Sequence, residues 1–451
     1  MKSFIVRQGC GVSGHARGSR FGIARILLLI AIGTVSISFP ILLNAAEGPA
    51  PSSVLPSAVR LSLGEALALF LKQNLDLLIA KYGIESNKGQ QITARLLPNP
   101  TLQVGNVASF TQGNNPATTG AITSQVQQLF ETAGKRGFRV ESAAYGVQSS
   151  EADFEDAVRQ LSFAVKDAYF RVQLAQRRLA LAEENRDRFA RILDVNTIRF
   201  KKGYIAEIDL IRIRLQMVDF QSQVIGAIQE AESARADLRQ LLRISAGTRV
   251  ELTTELDYRR VDPDIGKLRF AAIQMRPDIR SKRSSFSQRE ADLKLAKAYR
   301  FPDVTVGAGY SVQGPRGPDN QQMGLLNFGV PLPLFNRNQG AIVQAEVAVQ
   351  SAQADLDKTV NQAENEIEVA HHNLLQSRRL VEAYLAGVLD DARSTFTIVE
   401  RAYERGGATI LDLLDAARTS RTIQQNFIEA LFSYQHNLFQ LESAVGQEVS
   451  S

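Results

Sequence analysis

Cysteine is nearly missing from this chain of 451 residues, since Cys10 is the only one. It lies in a basic leader, so a chain cut beyond it carries no disulfide and no thiolate chemistry. Tryptophan is absent. Outside the leader, histidine is limited to His371, His372 and His436, and methionine to Met217, Met275 and Met323. No thioether path for soft metals can therefore be read. No Asp or Glu occurs before Glu47. Beyond the leader no long apolar run exists, which excludes a bundle of transmembrane helices. Proline is absent from 117 to 262 and after Pro333. Those two stretches are free to be helical, because helix interiors exclude proline.

The leader is the first positive feature. Lys2, Arg7, Arg17, Arg20 and Arg25 precede "ILLLIAIGTVSISFPILL" (Ile26 to Leu43), followed by Ala45 and Ala46. This order reads as a secretory signal peptide over residues 1–46. The other reading is an N-terminal membrane anchor. Gly33, Pro40 and the hydroxyl residues count against it, because a spanning helix needs about 20 apolar residues. The formal charge of +5 belongs to this segment: removing it takes five of the 52 basic residues and none of the 47 acidic ones. The remaining chain is formally neutral, so no nucleic-acid partner is expected.

Two long helical stretches follow from composition and spacing. Between Phe138 and Lys202 there is a single glycine, Gly146, amid Ala, Leu, Gln, Arg and Glu, which all but glycine favour helix. Such a stretch would run roughly 100 Å at 1.5 Å per residue. Ala157, Leu161, Ala164, Ala168, Val172, Ala175, Leu179 and Ala182 recur at steps of three and four. The run from Val349 through Ala363, Ile367, Ala370, Leu374 and Val381 to Val388 does the same, with one polar skip at Ser377. This is a coiled-coil seam, and its alanines let helices approach closely.

The chain also resembles itself. "ARLLPNPTLQVG" (Ala94 to Gly105) aligns with "AKAYRFPDVTVG" (Ala296 to Gly307), and "FKKGYIAEIDLI" (Phe200 to Ile211) with "YERGGATILDLL" (Tyr403 to Leu414). Two repeats are expected. Residues 61–262 form the first and 263–451 the second, after an extended lead-in at 47–60. Each reads as helix, two strands and a long helical hairpin, with tips near 203 and 406. The strands fall at 101–110, 121–131, 303–313 and 322–332. "DVTVGAGYSV" alternates most clearly, and the lengths suit transmembrane β-strands of about 9–11 residues. A soluble hairpin packed on the helices is the competing reading. Four strands cannot close a barrel, since small barrels need about eight, and an open edge cannot sit in lipid. Several chains must then share one barrel, and long helices hanging below it favour three. The segment from Arg243 to Gly266 breaks the coiled-coil pattern and reads as a mixed region beside the helices.

With "ARLLPNPTL", "LFETAGKRG", "RFPDVTVG", "VPLPLFNRNQG" and "GGATILDLLDAART" in this order, the chain resembles the TolC-like outer-membrane efflux family. The "PLPLFNRNQG" and "GKRG" segments look most like its heavy-metal, CzcC-like branch. The resemblance covers about residues 60–447. It implies an α+β membrane protein, a homotrimer with a twelve-stranded transmembrane β-barrel and a long α-helical barrel in the periplasm. It implies the exit duct of a tripartite efflux pump, working with a periplasmic adaptor and an inner-membrane RND-type transporter, and conducting heavy-metal cations. Drug efflux or protein secretion are the alternatives within the class. A periplasmic coiled-coil scaffold without a pore is the alternative outside it. In the family the periplasmic tip closes. Asp412 and Asp415 match its ring-forming aspartates. Asp209 and Tyr403 match a pair that links the two hairpins. A basic residue that joins this linkage in well-known members is replaced here by Ala408.

The residues themselves agree with the gate assignment. Asp412 and Asp415 are one turn apart and share a helix face. Counted over three chains, six carboxylates would crowd one opening, attract cations and raise one another's pKa. The plainer reading is a pair of first-turn aspartates held by the helix dipole. Gly203, Gly406 and Gly407 are expected to supply the freedom for the hairpin tips. Arg212 falls where a first-half counterpart of Asp415 would be, so the second hairpin is expected to face the pore and the first to brace it. No enzyme and no cofactor are expected: Walker, GxSxG, HExxH and CxxC patterns are all absent. "GKRG" at Gly134 marks the strand-to-helix junction, with basic side chains expected near lipid headgroups. His371 and His372 are adjacent and so make a poor metal pair.

Overall fold

A computed structural model describes residues 59–107, 121–313 and 321–449. The leader 1–46, most of the lead-in and strand positions 108–110 lie outside the described residues.

A short strand β1 (Val59–Leu61) leads into helices α1 (Leu63–Gln73) and α2 (Leu75–Arg95). Ser62 and Glu65 form a capping box at the start of α1, and Asn74 caps α2. Strands β2 (Thr101–Val107) and β3 (Ala121–Phe130) follow, and then the 67-residue helix α3 (Lys135–Lys201). At 1.5 Å per residue it is about 100 Å long. A tight turn returns the chain as α4 (Glu207–Leu241). Strand β4 (Val250–Leu252) pairs in parallel with β1. The order then recurs: α5 (Ile265–Met275), α6 (Pro277–Ala298), β5 (Val304–Gln313), β6 (Gln321–Gly329), α7 (Gln339–Ala383), α8 (Leu389–Glu404) and α9 (Ile410–Val445).

The other four strands form an antiparallel sheet in the order β2-β3-β5-β6. Its register sorts the side chains. Leu102 lies opposite Val126, Val126 opposite Ala308 and Ala308 opposite Leu326, all on one face. Leu102, Val104, Leu326 and Phe328 on that face are two-thirds or more exposed. The opposite face carries Gln103, Gln125, Thr123, Ser311 and Asn327. There the Gln125 amide donates to Gln103 at 2.8 Å, the Asn327 amide donates to Gln125, and the Thr123 and Ser311 hydroxyls meet at 3.2 Å. None of the described residues of these four strands is Asp, Glu, Lys or Arg. Gly309 permits a close approach: a Cβ there would stand 2.5 Å from the Cβ of Gln125.

Sheet and helices join through a buried ion pair. Lys135 is 2 % exposed and donates to Asp303 at 2.6 Å and to the Phe301 carbonyl at 2.7 Å. The expectation that this lysine lies near lipid headgroups is therefore corrected. Burial against the second-half strand entry claims it instead, with the Tyr299 ring 5.2 Å away. Arg136 remains exposed and donates to the Arg95 carbonyl.

The main core lies midway along the helices, where the mixed segment wraps them. Tyr169 and Tyr434 are buried there and satisfy the wrapping backbone. The Tyr169 hydroxyl donates to the Leu61 carbonyl and accepts from the Thr254 amide. The Tyr434 hydroxyl does the same for the Arg259 carbonyl and the Val261 amide. Seam residues Ala363, Ile367, Ala370, Leu374 and Val381 are all buried. The second long helix is not continuous. A π-turn at Tyr384–Val388 separates α7 from α8, with Gly387 at φ +128°. Helical spacing carries the sequence pattern straight across this break, because one extra residue in a turn leaves no mark in composition.

Candidate functional site

Both hairpin tips close with the same hydrogen bonds. The Gly203 amide donates to the Phe200 carbonyl and the Tyr204 amide to the Arg199 carbonyl. In the second tip the Gly406 amide donates to Tyr403 and the Gly407 amide to Ala402. Gly203 and Gly406 take the left-handed conformation, with φ +76° and +77°. Gly407 does not, and it stands where the first tip has Tyr204. Its glycine is not demanded by backbone geometry.

Asp412 is the third residue of α9 and completes a capping box. Its carboxylate accepts from the Thr409 amide at 2.8 Å and the Thr409 hydroxyl at 2.6 Å. These bonds, the hydroxyl first, hold its pKa below the ordinary aspartate value. Asp415 lies one turn on, exposed, and pairs with Arg418 at 2.9 Å. Ile410, Leu413 and Ala417 turn the other face of α9 into a second core with Phe189, Ile213, Phe220 and Phe396. The aspartates thus face away from packed protein.

Asp209 and Tyr403 border one cleft between the tips, with Arg199, Arg212, Arg405 and Ala408 around it. Each has its nearest polar partner elsewhere. Asp209 pairs with Arg212 in its own helix at 3.5 Å. The Tyr403 hydroxyl donates to Asn196 on α3 at 2.7 Å. Burial pushes the Tyr403 hydroxyl up in pKa, Asp209 adds to the rise, and Arg199 opposes it. The Arg199 guanidinium lies 5.7 Å from the Tyr403 ring centre and donates to the Glu404 carbonyl at 2.6 Å. Further up, Arg188 pairs with Glu400 at 3.1 Å and sits over the Phe396 ring.

Asn196 and Arg199 escaped the sequence reading. A signal for Asn196 was present. Phe189, Leu193, Asn196 and Phe200 step by four, three and four, so the asparagine occupies an apolar seam position. No group of three or more potential His, Cys, Asp or Glu metal ligands exists among the described residues. The His371 and His372 rings lie 6.0 Å apart and inclined at 62°. No helix among the described residues is long and apolar enough to cross a membrane.

An uncharged four-stranded sheet with one bare apolar face, carried on long helical hairpins of which one helix runs about 100 Å, has the form of an exit duct of the outer membrane. The chain belongs to the outer membrane efflux protein family, which residues 66–242 and 268–447 match. It is an outer-membrane efflux channel. It is similar to the cobalt-zinc-cadmium resistance protein CzcC of Cupriavidus metallidurans, at 26 % identity over 86 % of this chain and 91 % of that one. It is also similar to the outer membrane protein TolC of Escherichia coli, at 24 % identity over 76 % of this chain and 74 % of that one. The solved structure of CusC superposes with a TM-score of 0.72 at 19 % identity, covering 85 % of this chain and 92 % of that one.

Proposed function

We propose that three copies of this chain form the exit duct of a tripartite pump for heavy-metal cations, passively conducting and gated at the helical tip. The observation that carries the reading is the sheet. Its outer strands β2 and β6 have no partner on their far sides among the described residues. Its apolar face is uncovered. Lipid tolerates neither an open edge nor a lone four-stranded sheet, and three copies supply a closed barrel of twelve strands. A stripe on α4 supports the same assembly. Ile208, Ile211, Leu215, Val218, Ile225 and Ile228 recur at helical spacing and are exposed. Another copy of this chain would cover them.

The recurring element order and the two family matches support an internal duplication, with a boundary near residue 262. Residues 1–46 serve as the export signal. Asp412 and Asp415 form rings at the mouth, and Asp209 with Tyr403 borders the cleft where the hairpins are linked. Cargo is assigned by likeness to CzcC. A periplasmic adaptor and an inner-membrane RND-type transporter supply it. No covalent chemistry is assigned to the chain.

The test is conductance of the purified protein in planar lipid bilayers. A cation-preferring pore is expected, and Asp412→Ala with Asp415→Ala should remove the preference. A protein that forms no pore would overturn the duct, and an unaltered preference in the double variant would overturn the gate. In cells, deletion should raise zinc or cobalt sensitivity more than drug sensitivity.

A further inference from the structure

We propose that the foot of the sheet is a binding surface for anionic phospholipid: Arg95, Arg136, Arg300 and Arg337, one at each strand-to-helix junction, grip headgroup phosphates of the periplasmic leaflet, and an apolar collar beside them enters it. This rests on the reading of the sheet as a barrel wall and names the lipid that the wall selects.

The four junctions share one level. The lower ends of the strands pair in register, with Thr101 opposite Gln127, Phe130 opposite Val304 and Thr305 opposite Gly329. Hydrogen bonds then tie each junction to the next. Arg136 donates to the Arg95 carbonyl at 2.8 Å, Lys135 to the Phe301 carbonyl at 2.7 Å, and the Asn338 amide to the Ala296 carbonyl at 2.8 Å. Arg95 ends α2, Arg136 opens α3, Arg300 follows α6 and Arg337 precedes α7. The arginines therefore stand in a row below the sheet.

Charge does not balance at this level. In the segments 95–101, 130–139, 300–304 and 329–339 the acidic residues are Glu131 and Asp303. Both are already held, Glu131 by Arg139 at 2.5 Å and Asp303 by Lys135 at 2.6 Å. All four junction arginines are exposed, and none has a carboxylate partner among the described residues. Arg136 and Arg337 each give one nitrogen to a backbone carbonyl, and the side chains of Arg95 and Arg300 make no hydrogen bond among the described residues. Most of the guanidinium donors stay available, and their planar fork matches phosphate oxygens.

The neighbouring surface is apolar. Leu97, Phe301, Leu332 and Phe335 are exposed, Phe335 to 92 %. Pro331 and Pro333 lack the N–H groups a helix or ladder needs, so the segment after β6 stays extended and keeps its apolar side chains outward. Aromatic rings and long cationic side chains settle where hydrocarbon meets headgroups. Another copy of this chain cannot supply the missing anions, because it brings the same surplus of arginines to the same level. A free anion leaves the collar bare. A phospholipid with net negative charge answers both features.

The test holds the full-length protein in neutral detergent and adds phosphatidylglycerol, or phosphatidylcholine with the same chains. The reading is the lipid concentration that half-saturates the rise in melting temperature. An arginine near an anionic surface is worth about fivefold, so phosphatidylglycerol should act at a concentration at least about tenfold lower. Roughly 0.5 M sodium chloride should erase most of that difference. Arg95→Gln with Arg300→Gln breaks no hydrogen bond and should weaken phosphatidylglycerol about fivefold or more, with phosphatidylcholine unchanged. Glutamine at all four positions should make the two lipids equivalent, and the double variant decides the matter should that protein not fold. Equal action of both lipids on wild type, or an unchanged preference in the double variant, overturns the lipid surface. Equal stabilisation by inorganic phosphate without lipid overturns it too, in favour of a free-anion site. A wild-type protein without lipid preference that still forms pores in planar bilayers loses this surface alone, whereas absence of any pore removes the barrel reading beneath it.

Discussion

Asp412 caps α9, and the ring role proposed for it would carry a different pH dependence, which makes it informative. Within one chain its pKa is depressed by the Thr409 hydroxyl and amide. A depressed carboxylate stabilises the fold above its ordinary value, and the contribution is lost as pH falls through the folded value. Amide protection at the second tip should therefore hold from neutral pH down to about 4 and fall only below it. Hydrogen exchange across pH checks this. A loss beginning well above the ordinary aspartate value would mean that neighbouring carboxylates dominate instead. Lys135 offers a second test. It is buried, and its partner Asp303 is mostly so. Breaking a buried pair from one side costs about 3–5 kcal/mol, so Lys135→Met should lower thermal stability by about that much. Replacing both partners with apolar residues should restore part of it.

The elements themselves were largely legible. Six of the strand boundaries match within one residue: Thr101, Ala121, Phe130, Val304, Gln313 and Gln321 against 101, 121, 131, 303, 313 and 322. The seam from Ala363 to Val381 reads directly as buried core, because helical periodicity is a local property of the sequence. The π-turn was not legible, since it adds a residue without altering composition. Nor was the partner of Tyr403, because Asn196 lies 207 residues away and only the folded hairpins bring them together. Lys135 misled for a similar reason: a lysine near a turn reads as wet until a distant aspartate arrives. At this scale Gly309→Ala is diagnostic. The new Cβ would fall 2.5 Å from Gln125 and 2.6 Å from the Ser124 carbonyl, so β3 and β5 must separate. The fraction of chain recovered in outer-membrane preparations should drop sharply, while the helical content of the remainder persists.

Assembly decides what the whole molecule can do. The exposed stripe on α4 predicts that Leu215→Glu with Val218→Glu prevents association, measured as a monomer by light scattering in detergent. Persistence of a trimer would place the contact elsewhere. The four strands of the sheet carry mainly amides, hydroxyls and glycines on one face, with Met323 and Leu325 among them, and no fixed charge on either face among the described residues. In the proposed barrel, an ion leaving through a bore lined this way would keep its hydration shell and meet no fixed charge among the described strand residues. Such a passage has no power to sort cargo or to pull it outward. Discrimination and drive then belong to whatever fills the duct from below, and the outer segment acts as a short column of water held open through the membrane.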